Sequence, residues 1–353
     1  MSKPTADPVA TSSDLKDLAD GLSRRVARLR RRILDVGVLR GLVPIRRRTA
    51  AARASMPEAR DRERRLRAAS PAYVAALDNA HVETAHLRPM TLDSLHWWVP
   101  LPAPDDPVRV ARALAHQDLP YRVISQTREA AIGGVMIDIG ANIGRMSIPR
   151  VILGDAVAAY CAEPDPLNYE CLVRNVRDNG LAGLVLPDRV AIGASNGVVR
   201  LRRGKSTGGP RIVSDAAAKK SAVEVACQTL DTWVERMAID LDHVTFIKVD
   251  AQGSEVDILT GAPRVLACRH IAWQIEIDLT LLAARGCSAA DLYAPLMQHF
   301  THFVDLGRHA SGPRVRRIGD LAETLKHVTG GSDGRTDVVV VNLEAHEPTR
   351  PDA

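Results

Sequence analysis

Several features are scarce in this 353-residue sequence, and each absence excludes a class of function. Aromatic residues make up only 3% of the chain, which leaves little material for platforms that stack nucleic-acid bases. The five cysteines are widely spaced and form no C-x-x-C pair, so we predict neither a disulfide framework nor a metal site. No run of about 18 uncharged apolar residues marks a membrane span. We therefore expect a cytoplasmic globular protein.

Positive charge is abundant but concentrated in one segment. The chain carries a formal net charge of +5. Ten arginines and one aspartate give residues 22–48 a charge of +9, which leaves −4 for the rest of the chain. The main body is therefore predicted to be mildly acidic, and no nucleic-acid partner is expected for it.

The basic segment has the periodicity of a helix. Val26, Leu29, Ile33 and Val36 recur at spacings of three and four and form one narrow apolar stripe. Two interpretations stay open. The stripe packs against the main domain or another chain, or the helix lies on an anionic membrane surface and makes the protein membrane-associated. Pro57 to Ala69 forms a second helical pattern.

Changes in composition divide the chain into five predicted segments. The stretch HWWVPLPAPDD, His96 to Asp106, is rich in proline and is interpreted as a connector. The segments are a disordered terminus (1–20), a basic helical region (21–90), a connector or lid (91–125), the main domain (126–343) and a tail (344–353).

Short apolar runs alternate with helical patterns in the main domain. Because the runs are apolar throughout, they indicate a sheet covered on both faces, hence an α/β fold with a mostly parallel sheet. VVRLRR and VEVACQTL break the alternation and predict an extra hairpin. The predicted strands are VMIDI (135–139), VAAYCA (157–162), RVAIGA (189–194), VTFIKVD (244–250), IAWQIEI (271–277) and DVVVVN (337–342).

The stretch VMIDIGANIGRMSI predicts a ligand-binding turn. The strand ends at Ile139, Gly140 and Gly144 flank the turn, and a helix is predicted to begin at Ile143. Glycine allows the backbone to approach a ligand closely, and a helix start offers unpaired N–H groups to an anion. Turn and helix start together predict a carboxylate or phosphate site.

The spacing within this turn distinguishes between two ligand classes. Dinucleotide sites use G-x-G-x-x-G, whereas this turn reads D-x-G-x-x-x-G. Asp138 would repel a pyrophosphate but can accept bonds from the ammonium of a methionine moiety. Glu163 closes the next strand 23 residues after Gly140, where it can accept both ribose hydroxyls of either ligand. The turn therefore favours S-adenosylmethionine.

The fourth run leads into IKVDAQGSEVDILTGA. Asp250 ends the strand, and Glu255 lies in the first turn of the next helix, at the same sheet edge as Gly140. Helix capping by Asp250 or Ser254, with Glu255 favoured by the helix dipole, explains these residues equally well. Both interpretations stay open.

The ordered motifs between residues 132 and 342 resemble the FkbM family of S-adenosylmethionine-dependent methyltransferases. The resemblance implies a class I methyltransferase sandwich, a Rossmann-like fold whose seven-stranded sheet has one antiparallel edge strand, with an N-terminal helical extension here. It also implies methylation of a hydroxyl on a sugar, glycan or secondary metabolite. The motifs are MIDIGANIGRMSI, AEPDPLNYECLVRN, VAIGAS, QTLDTWVER, IKVDAQGSEVDILTGA and the late IEI.

The resemblance also assigns roles to individual residues. Asp250 and Glu255 match the family's D-x-(E/Q)-G-x-E element beside the reacting methyl, with Gln252 where a glutamate often stands. We predict Asp250 as the base or acceptor-orienting group, with Glu255 and Glu276 as second choices. The residues expected to bind the cofactor are Asp138, Gly140, Asn142 and Gly144 at its amino-acid end, Glu163 at its ribose, and Asn168 nearby.

The sequence leaves two alternatives to this function open. They are a nucleic-acid methyltransferase and a non-catalytic cofactor-binding scaffold. Trp97 and Trp98 either stack on a sugar acceptor or are buried as a hydrophobic lid. His243 and His270 precede strands and are predicted to lie at the edge of the sheet away from the site. The acceptor and the oligomeric state cannot be deduced from the sequence.

Overall fold

The structure is a computed structural model that describes residues 86–343, with gaps at 94, 102–118, 203–209, 214–221, 308–313, 327 and 329–333. The predicted disordered terminus, both N-terminal helical patterns and the predicted tail lie outside the described residues. Among the described residues, no helix has the length and hydrophobicity needed to cross a bilayer.

Fourteen strands run through the described residues. They are β1 (Leu87–Leu92), β2 (Leu95–Pro100), β3 (Gly134–Ile139), β4 (Ala156–Ala162), β5 (Val185–Asp188), β6 (Ala191–Ile192), β7 (Gly197–Arg202), β8 (Arg211–Val213), β9 (Val223–Gln228), β10 (Val244–Val249), β11 (Ala272–Asp278), β12 (His302–Asp305), β13 (Val315–Arg317) and β14 (Arg335–Val341).

The strands are connected mainly by short helices. They are α1 (Tyr121–Gln126), α2 (Arg128–Ala131), α3 (Ser147–Leu153), α4 (Pro166–Asp178), α5 (Leu230–Arg236), α6 (Glu255–Thr260), α7 (Pro263–Leu266), α8 (Leu279–Ala284), α9 (Ala289–His299) and α10 (Leu321–Thr324), with single 3₁₀ turns at Leu241–His243 and Ile318–Asp320.

The main sheet has the order β5-β4-β3-β10-β11-β14-β12-β13. Strands β5, β4, β3, β10 and β11 are parallel, and β14 runs antiparallel to both β11 and β12. The predicted α/β fold with a mostly parallel sheet is confirmed. Two details differ: the sheet has eight strands, and the antiparallel β14 lies between β11 and β12 instead of at the edge.

Burial on both faces explains why the central strands are apolar throughout. Every residue of β3 and of β4 is buried. Ile137 and Ile247 belong to the core on one face of the sheet, while Met136 and Phe246 belong to the core on the other. The strand order reverses on either side of β3, and such a switch point at the carboxyl ends of parallel strands is where α/β sheets bind ligands.

A second sheet of order β6-β9-β7-β8 stands beside the main one. The predicted hairpin is confirmed, because β7 and β9 are antiparallel partners. The predicted strand RVAIGA is wrong as a member of the main sheet: only Ala191 and Ile192 are extended, and they pair with β9. The main sheet instead ends at β5, where Pro187 is tolerated because an edge strand does not need every N–H donor.

The segment interpreted as a connector contains regular structure. β1 and β2 form an antiparallel hairpin, and α1 follows within the same segment. Leu95, Trp97 and Val99 are buried at every second position of β2, so a strand period is present despite the neighbouring prolines. The predicted start of the main domain at residue 126 falls at the end of α1.

Candidate active site

A cavity of about 460 Å³ opens at the carboxyl ends of β3, β4, β10 and β11, and residues of the second sheet also line it. Its wall includes both acidic residues and glycine-turn residues predicted from the sequence. Of the predicted site residues, Gly140, Asn142, Glu163, Asn168, Asp250 and Glu276 line the cavity, whereas Asp138, Gly144 and Glu255 do not.

Gly140 is required by the close approach of two strand ends. Its φ is +72°, and an added Cβ would lie 1.9 Å from the backbone oxygen of Asp250. The next turn residue with positive φ is Asn142, at +54°. Left-handed backbone at a non-glycine position is uncommon, and asparagine is among the residues that tolerate it best. The turn therefore brings the ends of β3 and β10 together at the cavity.

The N–H groups of the turn are used within the protein. Those of Gly140 and Ala141 donate to the oxygen of Ala162 at 3.0 and 3.2 Å, and that of Gly144 donates to the oxygen of Ala141 at 2.9 Å. The predicted helix start at Ile143 is wrong, because α3 begins at Ser147. These backbone amides already have partners. The anionic end of a ligand would therefore contact side chains of the cavity wall.

Glu163 is a buried carboxylate held in one orientation. Its Oε2 accepts from the N–H of Asn142 at 2.7 Å, and its Oε1 accepts from the N–H of Asp165 at 2.9 Å. Burial raises the pKa of Glu163 to about 7, although these backbone bonds and a side-chain bond with Asn168 oppose the rise. These three bonds leave an acceptor position of the carboxylate free for a further donor, such as a ribose hydroxyl.

Lys248 is a residue of the site that the sequence analysis missed. Its Nζ donates to the oxygen of Gly140 at 3.1 Å and lies 3.3 Å from Asp138 Oδ1 and 3.4 Å from Asp250 Oδ2. Burial acts to lower the pKa of Lys248, but the carboxylates of Asp250 and Asp138 outweigh it and raise that pKa. The available signal was a single lysine inside the apolar run VTFIKVD.

Asp138 lies behind the cavity wall instead of on it. It is fully buried and directly opposite Lys248 in the β3–β10 register. Direct contact of Asp138 with a cofactor stays a prediction; the structure places the Lys248 ammonium against its carboxylate.

Asp250 and Glu276 meet through Gln252. The Nε2 of Gln252 donates to Asp250 Oδ1 and to Glu276 Oε2, each at 3.0 Å. This geometry depends on a left-handed backbone at Gln252, whose φ is +53°. The family glutamate that Gln252 replaces could not donate both bonds when ionised, because a carboxylate is only an acceptor.

The two carboxyl groups are in opposite protonation states at neutral pH. Burial acts to raise the pKa of Asp250, but Lys248 and hydrogen bonds from Gln252 and Glu276 bring that pKa below its usual range. Burial, followed by the charge of Asp250, raises the pKa of Glu276 to about 10. Glu276 is therefore protonated and donates to an ionised Asp250.

Glu255 has the geometry of a cap. Its Oε1 accepts from the N–H groups of Ala251 and Gly253 at 3.0 and 3.2 Å, and burial raises its pKa to about 7. Its carboxylate thus fixes the loop that carries Asp250 and Gln252. Capping by the side chains of Asp250 or Ser254 is not seen: Ser254 is at the N-cap position of α6 without a side-chain hydrogen bond, and Asp250 contacts Gln252 and Lys248. Glu255 itself is buried behind the wall.

The tryptophans and histidines named in the sequence lie away from the cavity. Trp97 is buried in the core, and the Trp98 Nε1 donates to Asp178 Oδ2 at 2.7 Å. Trp97 is therefore a core residue, whereas Trp98 is half-buried with the Arg174 guanidinium over its ring, and neither ring lines the cavity. His243 and His270 lie near the amino end of β10, as predicted, where they contact Asp240 and the backbone oxygen of Leu241.

Residues 138–306 match a family model described as "Methyltransferase FkbM domain". Over these residues the chain resembles an FkbM methyltransferase domain. The match runs from the end of β3 to β12 and includes every predicted site residue. No curated protein sequence matches the chain.

Solved structures similar to the chain include three methyltransferases or transferases. An FkbM methyltransferase from Methylobacillus flagellatus has 17% identity and a TM-score of 0.33, over 59% of this chain and 43% of that one. A putative transferase from Pyrococcus horikoshii has 12% identity and a TM-score of 0.32, over 73% of each chain. A putative tRNA (m1A22) methyltransferase from Streptococcus pneumoniae has 14% identity and a TM-score of 0.31, over 61% and 70%.

The chain therefore spans less than half the length of the first of these structures. At such TM-scores the assignment of the fold rests on the strand order of this chain's own main sheet. That order, with β14 reversed beside β11, is the class I methyltransferase sandwich.

The cofactor of this family is S-adenosylmethionine, and the cavity wall has groups that fit it. Glu163 offers an oriented carboxylate with an acceptor position left for a ribose hydroxyl. Gly140 leaves open the space that a Cβ would fill. Asn142, Arg145 and Asn168 add polar side chains on the same side of the cavity, which suit an amino-acid end. The residues of the FkbM domain are thus chemically compatible with the cofactor.

Proposed function

We propose that the chain is an S-adenosylmethionine-dependent O-methyltransferase that acts on a hydroxyl of a sugar, glycan or secondary metabolite. One observation carries the proposal: a single cavity joins the Glu163 wall to the Asp250–Gln252–Glu276 group. The first offers a nucleoside site, and the second offers an ionised carboxylate to a hydroxyl proton.

Glu163 would bind the ribose, while Asn142 and Asn168 hold Glu163 and contribute to the same wall. Gly140 would admit the amino-acid end by its lack of a side chain. Asp138 and Gly144 would act indirectly, Asp138 by holding Lys248 and Gly144 by allowing the turn to close over Leu172. When bound, the cofactor supplies a methyl group already activated by its sulfonium.

Asp250 would orient the acceptor hydroxyl and take its proton. The pKa of Asp250 lies below the usual range because Lys248 and two hydrogen bonds stabilise its charge, so it cannot deprotonate an alcohol in advance. Proton transfer must accompany attack on the methyl group. Glu276 would support Asp250 as a hydrogen-bond donor, since its pKa of about 10 leaves it protonated. Glu255 would position the loop.

Two alternative functions receive less support. A base-methylating enzyme needs an aromatic platform for the flipped base. Among the described residues, no aromatic side chain lines the cavity. A non-catalytic scaffold would not need Lys248, Gln252 and Glu276 to hold one carboxylate ionised in the wall.

Calorimetry on the purified protein tests the cofactor site. We expect S-adenosylmethionine to bind and NAD not to bind, and Glu163→Ala to weaken the binding. Binding of NAD alone, or of neither ligand, contradicts the proposal.

A screen of hydroxylated sugars with labelled methyl donor then tests turnover. Asp250→Asn should retain cofactor binding and lose turnover. Full turnover by Asp250→Asn would exclude Asp250 as the proton acceptor.

A further inference from the structure

Besides Arg145, two further arginines line the cavity. Arg211 comes from β8 of the second sheet, and Arg335 begins β14. Residues 335 and 337 lie on the same face of β14 because side chains alternate along a strand. Asp337 is the register partner of Glu276. Arg335 therefore stands beyond the Asp250–Glu276 group, on the far side from Glu163.

Among the residues that the structure describes, the side chain of neither arginine has a hydrogen bond or an ion pair. Arg211 is also the register partner of Arg202 in the β7–β8 ladder. Like charges directly opposite in a sheet are destabilising unless an anion compensates them. By contrast Arg200, two residues earlier on β7, pairs with Glu224 at 3.2 Å. Among its described residues, the second sheet thus has one arginine paired with a glutamate and one cross-strand arginine pair without a carboxylate partner.

The nearby carboxyl groups have other partners. Asp250 faces Lys248 at 3.4 Å. Glu276 Oε2 accepts from Gln252 at 3.0 Å, and Asp337 Oδ1 accepts from Gln274 at 3.1 Å. Among the described residues, the two guanidinium groups therefore have no carboxylate as an ion-pair partner.

We propose that Arg211 and Arg335 form a subsite for an anionic group carried by the hydroxylated acceptor. Guanidinium groups bind phosphate, sulfate and carboxylate through paired N–H donors, and all three occur on modified sugars and metabolites. The role of this anion as part of a methyl acceptor rests on the proposed function. Binding of the anion itself does not.

The test uses the full chain loaded with S-adenosylhomocysteine, so that the cofactor wall is filled. Inorganic phosphate is titrated and its ³¹P line width is followed at constant ionic strength, with sulfate and acetate as competitors that identify the anion class. We expect saturable broadening. Arg211→Gln and Arg335→Gln should each lower phosphate affinity about fivefold or more, and the double variant should abolish saturation. Arg200→Gln, the matched control with a compensated arginine, should match the parent.

Two measurements separate this subsite from the proposed function. Calorimetry reports S-adenosylhomocysteine binding, which the arginine variants should leave unchanged. Arginine-dependent phosphate binding without cofactor binding would support the subsite and overturn the methyltransferase proposal. Cofactor binding with no phosphate binding, or with equal phosphate affinity in the double variant and the parent, would overturn the subsite.

Discussion

Glu163 is subject to two opposing effects at the scale of a single residue. Burial favours its protonated form and raises its pKa to about 7, whereas the N–H groups of Asn142 and Asp165 favour the carboxylate. A ribose hydroxyl needs the ionised form, which keeps an acceptor position beside its three bonds within the protein. Its protonation equilibrium therefore falls within the neutral pH range.

We predict that affinity for S-adenosylmethionine rises about tenfold between pH 6 and pH 8. The ionised fraction of a group with a pKa of about 7 changes by that factor over this interval. Calorimetry at several pH values measures the effect. Glu163→Gln should bind more weakly and with little dependence on pH over this range. A flat profile in the parent protein would contradict this role of Glu163.

Lys248 is predicted to stabilise the fold through Asp138. Lys248→Met leaves the fully buried carboxylate of Asp138 without a cation, and breaking a buried pair in this way costs about 3–5 kcal/mol. Chemical denaturation measures the loss in free energy of unfolding. Adding Asp138→Asn to Lys248→Met should recover part of that loss, because the uncompensated charge is removed. If the double variant is less stable than Lys248→Met, the pair does not act through charge.

At the scale of elements, helix α4 connects the β1–β2 hairpin to the cofactor turn. The Asn175 Oδ1 accepts from the N–H of Trp98, and its Nδ2 donates to the oxygen of Ile143 at 2.9 Å. One turn later, the side chain of Asn179 accepts from the N–H of His96 at 3.0 Å and donates to its oxygen at 2.6 Å. Both asparagines bind the hairpin, but only Asn175 also contacts the turn.

The two asparagines provide a matched pair of variants. Asn175→Ala and Asn179→Ala should each lower stability by about 1–3 kcal/mol, because buried backbone groups lose their partners. Asn175→Ala alone should also weaken S-adenosylmethionine binding, by roughly tenfold or ~1.4 kcal/mol. Thermal unfolding and calorimetry measure the two effects. Equal cofactor affinities in both variants would show that the hairpin does not position the turn.

Elements with strong local patterns could be predicted from the sequence. β3, β4, β10, β11 and β14 are buried on both faces, so their apolar runs are unambiguous. β5 contains a proline and β2 ends in one. These prolines concealed the strand pattern of both segments in the sequence. The order of the predicted strands was enough to place Asp250 and Glu276 at the same edge of the sheet. The bridge by Gln252 could not be predicted, because it depends on a left-handed turn and on the β10–β11 register.

At the scale of the whole molecule, the cavity depends on segments far apart in the chain. Its wall extends from Pro120 to Asp337 and includes parts of both sheets. The β1–β2 hairpin does not line the cavity. It contributes Leu87, Leu95, Trp97 and Val99 to the core that also contains Met136 and Phe246. The hairpin therefore belongs to the same folding unit as the sheet, and the sequence boundary at residue 126 excludes it.

This arrangement predicts how truncated chains behave. A fragment of residues 86–343 should bind S-adenosylmethionine as tightly as the full chain, since it contains every described residue of the cavity wall. A fragment of residues 126–343 loses α1 and the hairpin, and each large apolar side chain of the hairpin contributes about 1.5–3 kcal/mol of burial. We expect this fragment to unfold at a much lower temperature or to aggregate. Thermal unfolding of both fragments measures the difference, and equal unfolding temperatures would show that the sheet folds independently of the hairpin.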